Sequence, residues 1–175
     1  WWDVVAGVNY LHCYNPVLVH GDLKPVQNVL IDDYGNAQIC DFGLVRIYLD
    51  DGSNGLATTT HYTGTECYLS YELIVAEEEA SPTIASDIHA LGCIGLEFIF
   101  LKLPYSHRRN NFRGIIYTDI KAGIPPSYGL SPPEGSNVDE WWDVLAQCWD
   151  IDPTKRPTSD YLLERLSAWC TGLLS

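Results

Sequence analysis

Apolar and polar positions along this chain fall into blocks that read mostly as helix. Over residues 1–13, Trp1, Val4, Val5, Val8 and Leu11 recur at helical spacing and predict an amphipathic helix, entered partway along its length. Asn15-Pro16 ends it, because the residue before a proline is driven out of the helical region. Val17-Leu18-Val19 is a short apolar run leading into a loop. Two further runs, Val29-Leu30-Ile31 and Ala37-Gln38-Ile39-Cys40, flank Asp32-Asp33-Tyr34-Gly35-Asn36 and predict a β-hairpin. Residues 44–65 are rich in Gly, Ser, Asn and Thr and read as a long loop.

The second half turns helical after Pro82. Ser86 is the expected cap of a helix reaching Phe100, apolar almost all round, as a buried central helix would be. Lys102-Leu103-Pro104 stops it, and a shorter helix is expected over 112–122, closed by Gly123. Asn137-Val138-Asp139-Glu140 has capping-box form ahead of Trp141, Trp142, Leu145, Cys148 and Trp149. Thr158 is placed to cap a last helix carrying Tyr161, Leu162, Leu166 and Trp169. The expected fold class is mainly α with one small β-hairpin, a single domain over residues 1–175.

Composition narrows the partners. The formal net charge of −13 repels phosphate backbones and anionic lipid, which argues against nucleic acid and membrane. The run Glu77-Glu78-Glu79 reads as a solvated loop face. The apolar stretch from Ile88 to Leu101 contains His89 and Glu97 and is too short and too polar to span a bilayer. Cys13, Cys40, Cys67, Cys93, Cys148 and Cys170 include no C-x-x-C pair, so zinc is not expected and a reducing, cytoplasmic setting is. The chain has no methionine and starts at Trp1, which reads as a fragment, a processed chain or an incomplete gene model.

The chemistry concentrates in His20-Gly21-Asp22-Leu23-Lys24-Pro25-Val26-Gln27-Asn28, with Asp41-Phe42-Gly43 beginning thirteen residues later. This pair of segments resembles the catalytic loop and metal-binding motif of eukaryotic-type protein kinases. Phosphoryl transfer needs a carboxylate to orient a hydroxyl and hard oxygen ligands to hold Mg²⁺ against the phosphates. The resemblance implies Asp22 as the base that takes the hydroxyl proton, a role worth about 10²–10⁴ in rate. It implies Lys24 at the transferred phosphate, which favours Ser/Thr over Tyr substrates, Asn28 and Asp41 as Mg²⁺ ligands, and Lys24, Asn28 and Asp41 as the contacts to ATP. It further implies Thr65 as a substrate-docking residue. His20, Phe42, Gly43, Glu72, Asp87 and Arg156 are implied as structural supports, Glu72 and Arg156 forming a buried ion pair.

The likeness runs through nearly the whole chain. Tyr71-Glu72 sits where the family has Pro-Glu, and Asp87-Ile88-His89-Ala90-Leu91-Gly92 is similar to the family's D-x-W-x-x-G with His89 replacing Trp. Leu103-Pro104-Tyr105, Cys148-Trp149-Asp150, Asp152-Pro153 and Arg156-Pro157 follow in family order. The flavour is that of the tyrosine-kinase-like group of Ser/Thr kinases, and the implied fold is the C-terminal, helical lobe alone. The implied function of the parent protein is transfer of the ATP γ-phosphate to Ser/Thr residues of a protein substrate.

Four departures modify these expectations. Gly21 stands where most kinases carry the Arg that receives an activation-loop phosphate, so phosphorylation at Thr58, Thr59, Thr60 or Thr63 is not expected to switch the protein on. Asn28 lies six residues after Asp22 where the family has five, so the loop is expected to bulge, and a displacement of about 1 Å can cost about 10²-fold in rate. Ser70-Tyr71-Glu72 replaces Ala-Pro-Glu. No G-x-G-x-x-G, strand lysine or paired helix glutamate precedes the loop; each missing charged contact forfeits roughly 1.5–3 kcal/mol, so the fragment by itself is expected to be inactive. The rival expectation is an inactive, pseudokinase-like scaffold or a truncated gene product. Either way the apolar face left by the missing lobe calls for that lobe or a partner to cover it.

Overall fold

The computed structural model describes residues 1–42, 45–48, 66–76, 81–108, 113–132 and 138–172. Gly43, Thr58, Thr59, Thr60, Thr63, Thr65 and the Glu77-Glu78-Glu79 run lie outside them, as does the cap expected at Asn137. Helix α1 spans Trp2–His12 and turns Val4, Val5, Val8 and Leu11 inward together with His12. Strand β1 (Val17–Val19) follows, then a single helical turn α2 (Pro25–Asn28), then the hairpin of β2 (Val29–Ile31) and β3 (Ala37–Ile39). The hairpin pairs antiparallel with Val29 opposite Ile39 and Ile31 opposite Ala37. Its turn is shaped by Asp32, whose Oδ1 accepts the N–H groups of Tyr34 and Asn36 at 2.9 and 2.8 Å. The Asp3 carboxylate on α1 accepts the Ala37 N–H at 3.0 Å and ties the hairpin to the helix below it.

Three local expectations are corrected. The segment read as loop from residue 44 contains strand β4 (Arg46–Tyr48), antiparallel to β1 with Val17 opposite Tyr48. Its three residues become a strand only because β1 offers a free edge, a pairing too distant in the chain for a local pattern to reveal. The extra catalytic-loop residue produces no bulge. It is taken up in α2, where the Asn28 N–H reaches the Lys24 carbonyl at 3.1 Å across one α-turn. The central helix α4 runs Ile84–Phe100 and is capped by Thr83, not by Ser86. Thr83 Oγ1 accepts the Ser86 N–H at 3.1 Å while Ser86 Oγ accepts the Thr83 N–H at 2.8 Å, so Ser86 is the far half of a capping box.

Between β4 and α4 lie a 3₁₀ turn (Glu66–Tyr68) and a short helix α3 (Tyr71–Val75). After α4 come α5 (Arg113–Lys121), α6 (Val138–Cys148), a 3₁₀ turn (Pro153–Lys155) and α7 (Ser159–Gly172). The Tyr161 N–H bonds Thr158 Oγ1 at 3.2 Å, the cap expected for α7. Helix α4 is the hub. Ile88, Leu91, Ile94 and Leu96 are fully buried and pack with Val4, Val5 and Val8 of α1, Leu145 of α6 and Leu162 of α7. Gly92 and Gly95, a turn apart, let α6 come close: a Cβ on Gly92 would stand 2.6 Å from the Cys148 Cβ, and one on Gly95 2.6 Å from Leu145. A second, smaller core joins Cys67, Leu69 and Ile74 to Tyr105, Ile116 and Ile120. No helix among the described residues is long and apolar enough to cross a membrane. All six cysteines are free thiols.

Candidate active site

The loop from His20 to Asn28 is held from both sides. Asp87, on the first turn of α4 and 1% exposed, accepts the His20 N–H on Oδ2 at 2.8 Å and the Gly21 N–H on Oδ1 at 2.9 Å. Gly21 has φ 79, in the left-handed region that glycine enters at no steric cost, which accounts for glycine suiting this bend. His20, fully buried, bridges the two halves of the site. Its Nδ1 accepts the Asp22 N–H at 3.3 Å and its Nε2 donates to the Cys40 carbonyl at 3.1 Å. The Cys40 N–H in turn reaches the Asn28 carbonyl at 3.0 Å, so the start of the Asp41 segment is stitched to the catalytic loop at two points.

Three of the four residues singled out for chemistry meet in one cluster. Lys24 Nζ lies 3.0 and 2.8 Å from the two oxygens of Asp22. Asn28 donates from Nδ2 to the Asp22 main-chain carbonyl and, at 3.2 Å, to Asp22 Oδ2. Asn28 is fully buried, and its Oδ1 has no hydrogen-bond partner among the described residues. A buried amide oxygen without a donor costs free energy unless something electropositive occupies its lone pairs. It is a hard oxygen of the kind Mg²⁺ takes, and Asp41, one residue beyond Cys40 and exposed, is a second oxygen donor that follows the hairpin in the chain. The residues present therefore fit a divalent cation, although among the described residues no group of three or more His, Cys, Asp or Glu side chains forms a metal cage. Asp41 has φ 63, an unusual backbone setting for a non-glycine residue. Phe42 is half exposed, its ring centroid 5.4 Å from that of His20.

A concavity beside Asp22 is bounded by Leu23, Lys24, Tyr68, Leu69, Leu73 and Ala90. The wall formed by residues 66–75 is anchored independently. Glu72 and Arg156 form a two-pronged ion pair, with Nη1–Oε1 2.7 Å and Nη2–Oε2 2.8 Å. Arg156 also donates to the carbonyls of Ala85 and Asp150. Burial pushes the Glu72 carboxyl up, but the Arg156 hydrogen bonds and charge outweigh it and leave the group below the usual carboxylate range. His89, standing where Trp was expected, bonds the Tyr68 carbonyl through Nδ1 at 3.3 Å; burial, then the Arg156 charge, push its pKa down to about 4. The Tyr68 hydroxyl donates to Glu97, a carboxyl that burial raises and this bond partly restores.

Sequence reasoning missed Glu97 and Tyr68, and it passed over His12. This histidine is 8% exposed on α1 and lies 3.0 Å from Asp87. A signal was present: a histidine next to Leu11, on the face that Val4, Val5 and Val8 mark as buried, must find a polar partner in the interior.

The loop and the anchored segment have the arrangement of the protein-kinase fold. The chain belongs to the protein kinase domain family, which it matches over residues 1–166. It is 30% identical over 98% of its length to a protein of Acanthamoeba polyphaga mimivirus named as a serine/threonine-protein kinase/receptor, covering 9% of that protein. It is 28% identical over 94% of its length to a dual specificity protein kinase of Dictyostelium discoideum, covering 30% of it. It is 32% identical over 89% of its length to the serine/threonine-protein kinase TOUSLED of Arabidopsis thaliana, covering 22% of it. The chain thus spans less than a third of the length of each of these relatives. The protein kinase family generally uses ATP and Mg²⁺ and acts on protein substrates.

Proposed function

We propose that the protein carrying this chain transfers the γ-phosphate of ATP to Ser/Thr hydroxyls of a protein substrate. One observation carries the reading: the Asp22 carboxylate is held by Lys24 and Asn28, while Asn28 Oδ1 is left buried with an unused lone pair. Asp22 orients the acceptor hydroxyl and receives its proton as that oxygen bonds to the γ-phosphorus. The bond from that phosphorus to the β–γ bridging oxygen breaks, and ADP leaves. Lys24 holds Asp22 and places a positive charge beside the transferred group. Asn28 and Asp41 are the side chains that would hold Mg²⁺, which supplies neutralisation of the phosphate charge. The acceptor segment would lie in the concavity between Leu23 and Leu69.

In this reading the chain is the helical lobe of the domain. Leu30, Ile31 and Phe42, exposed by 57, 61 and 52%, are apolar surface of the kind that an ATP-gripping upstream lobe would cover. Thr65 and Gly43 take their docking and turn roles from the family pattern, the Ser/Thr preference follows Lys24, and the setting is the reducing cytoplasm. The test is Asp22→Asn in the parent protein, with γ-labelled ATP and a generic protein acceptor. Transfer is expected to fall by about 10²–10⁴ with thermal stability unchanged. Equal transfer by both proteins would overturn the proposal and leave the scaffold reading.

A further inference from the structure

Asn28 enters the β2–β3 hairpin and Asp41 follows its exit, so the direction of the hairpin bears on where both oxygen donors stand. In its antiparallel register Ile31 faces Ala37 and Val29 faces Ile39. The flanking pairs carry main-chain bonds, the Asp32 N–H to Asn36 at 2.9 Å and the Cys40 N–H to Asn28 at 3.0 Å. By the alternation of an antiparallel ladder, the N–H groups of Ala37 and Ile39 then point away from β2, to the outer edge of β3. Helix α1 meets that edge at two places. The Asp3 carboxylate accepts the Ala37 N–H at 3.0 Å. One turn further along, Gly7 leaves room for Ile39, because a Cβ there would stand 2.9 Å from Ile39 Cδ1 and 3.3 Å from its Cγ1. The two spacings match: four helix residues advance about 6 Å and two strand residues about 6.7 Å. Strand β3 therefore fits α1 in one register, and a slip by one residue would turn the half-buried Ala37 and Ile39 outward. From the other side Cys40 is held by Asn28 and His20. Asp41 follows directly, in a left-handed backbone setting with φ 63 that persists only where its surroundings fix it.

We propose that Asp3 and Gly7 are positioning residues for Asp41: α1 clamps β3 by its edge, and the clamp sets the direction in which Asp41 leaves the hairpin and, with it, the affinity of Asn28 and Asp41 for a divalent cation. Both residues act through β3. The inference rests on the reading of Asn28 and Asp41 as cation holders. The clamp itself is measured at the Ala37 amide without any metal, so the two ideas fail separately.

The experiment is amide hydrogen exchange of the full chain, followed by a titration with Mn²⁺ that reads the broadening of the Asn28 and Asp41 amide signals. In Asp3→Ala exchange at Ala37 is expected to quicken about tenfold, the loss of a hydrogen bond to a charged acceptor, with the amide of the buried Leu91 on α4 unchanged. The Mn²⁺ concentration for half broadening is expected to rise about tenfold, as when the outer partners of a metal site are removed. Asp3→Asn, which keeps an acceptor oxygen, is expected to restore most of both. Gly7→Leu favours α1 as a helix yet drives its side chain into Ile39, so it is expected to weaken Mn²⁺ binding at least as far as Asp3→Ala does. Unchanged exchange at Ala37 in Asp3→Ala would overturn the clamp, and quickened exchange with unchanged Mn²⁺ broadening would overturn its role in positioning Asp41. So would an Asp3→Asn protein as disturbed as Asp3→Ala, or a Gly7→Leu protein that binds Mn²⁺ as the wild type does. A wild type whose Asn28 and Asp41 signals stay sharp would overturn the cation reading and this role with it, and exchange at Ala37 would then show whether the clamp stands.

Discussion

Asp87 and Arg156 anchor the two walls of the same site by opposite means. Asp87 receives main-chain N–H groups of His20 and Gly21, which any residue except proline could supply. Arg156 grips one particular side chain, Glu72, with a matched pair of hydrogen bonds. The first kind of anchor does not read the side chains of the segment it holds, and at position 21 it is the backbone, with φ 79, that favours glycine. The second kind does not tolerate change at Glu72 itself but leaves its neighbours free, and Ser70-Tyr71 departs from the expected pair while the grip persists. Variation in each wall is thus allowed where the anchor does not read side chains.

The largest effect expected from breaking this contrast is at the ion pair. Arg156→Leu leaves the Glu72 carboxylate without its partner and should destabilise the chain by about 3–5 kcal/mol, read from urea unfolding. Glu72→Gln should cost less, since the amide still accepts from the guanidinium. A smaller loss is expected at the other anchor. Asp87→Asn removes one charged acceptor and should cost about 1.5–3 kcal/mol, with exchange quickening at His20 and Gly21 and not at residues 66–75. Equal quickening in both walls would show that the anchors are not independent.

Acid should act on one wall first. The unfolded chain binds a proton at His89 near pH 6.5, whereas the folded chain does so only near 4, where burial and the Arg156 charge have pushed it. Across that window the unfolded state holds more protons, so stability falls as pH drops, by up to about 1.4 kcal/mol per unit. Glu72 extends the loss to lower pH. Its folded value is depressed, so its contribution is present above the unfolded value and disappears as pH falls through the folded one. His89→Gln should flatten the slope between pH 6.5 and 4; an unaltered slope would remove His89 as its source. The smallest effect is expected for Tyr68→Phe, about 0.5–1.5 kcal/mol for the lost bond to Glu97, with the Glu72–Arg156 pair intact.

Much of this was readable one residue at a time. The helical spacing of Val4, Val8 and Leu11, the hairpin around Gly35 and the all-round apolar α4 follow from local pattern, and each is present. So is the order of the motif residues, which brings Asp22, Lys24 and Asn28 within one loop. Strand β4 was not readable, because a three-residue strand is decided by the edge it meets. The α2 turn was not readable either: Pro25 at its start and a buried slot for Asn28 let an added residue wind into a turn instead of looping out.

The sequence by itself determined the inventory and its order: a carboxylate, an ammonium and an amide in one short loop, an acidic residue after a hairpin, and four long amphipathic or apolar helices. Tertiary structure alone decided which polar groups share an interior. His12 with Asp87 and Ser159, His20 with Cys40, and Tyr68 with Glu97 are each far apart in the chain. A buried donor must find an acceptor wherever packing has carried one, and packing is settled by the whole core at once.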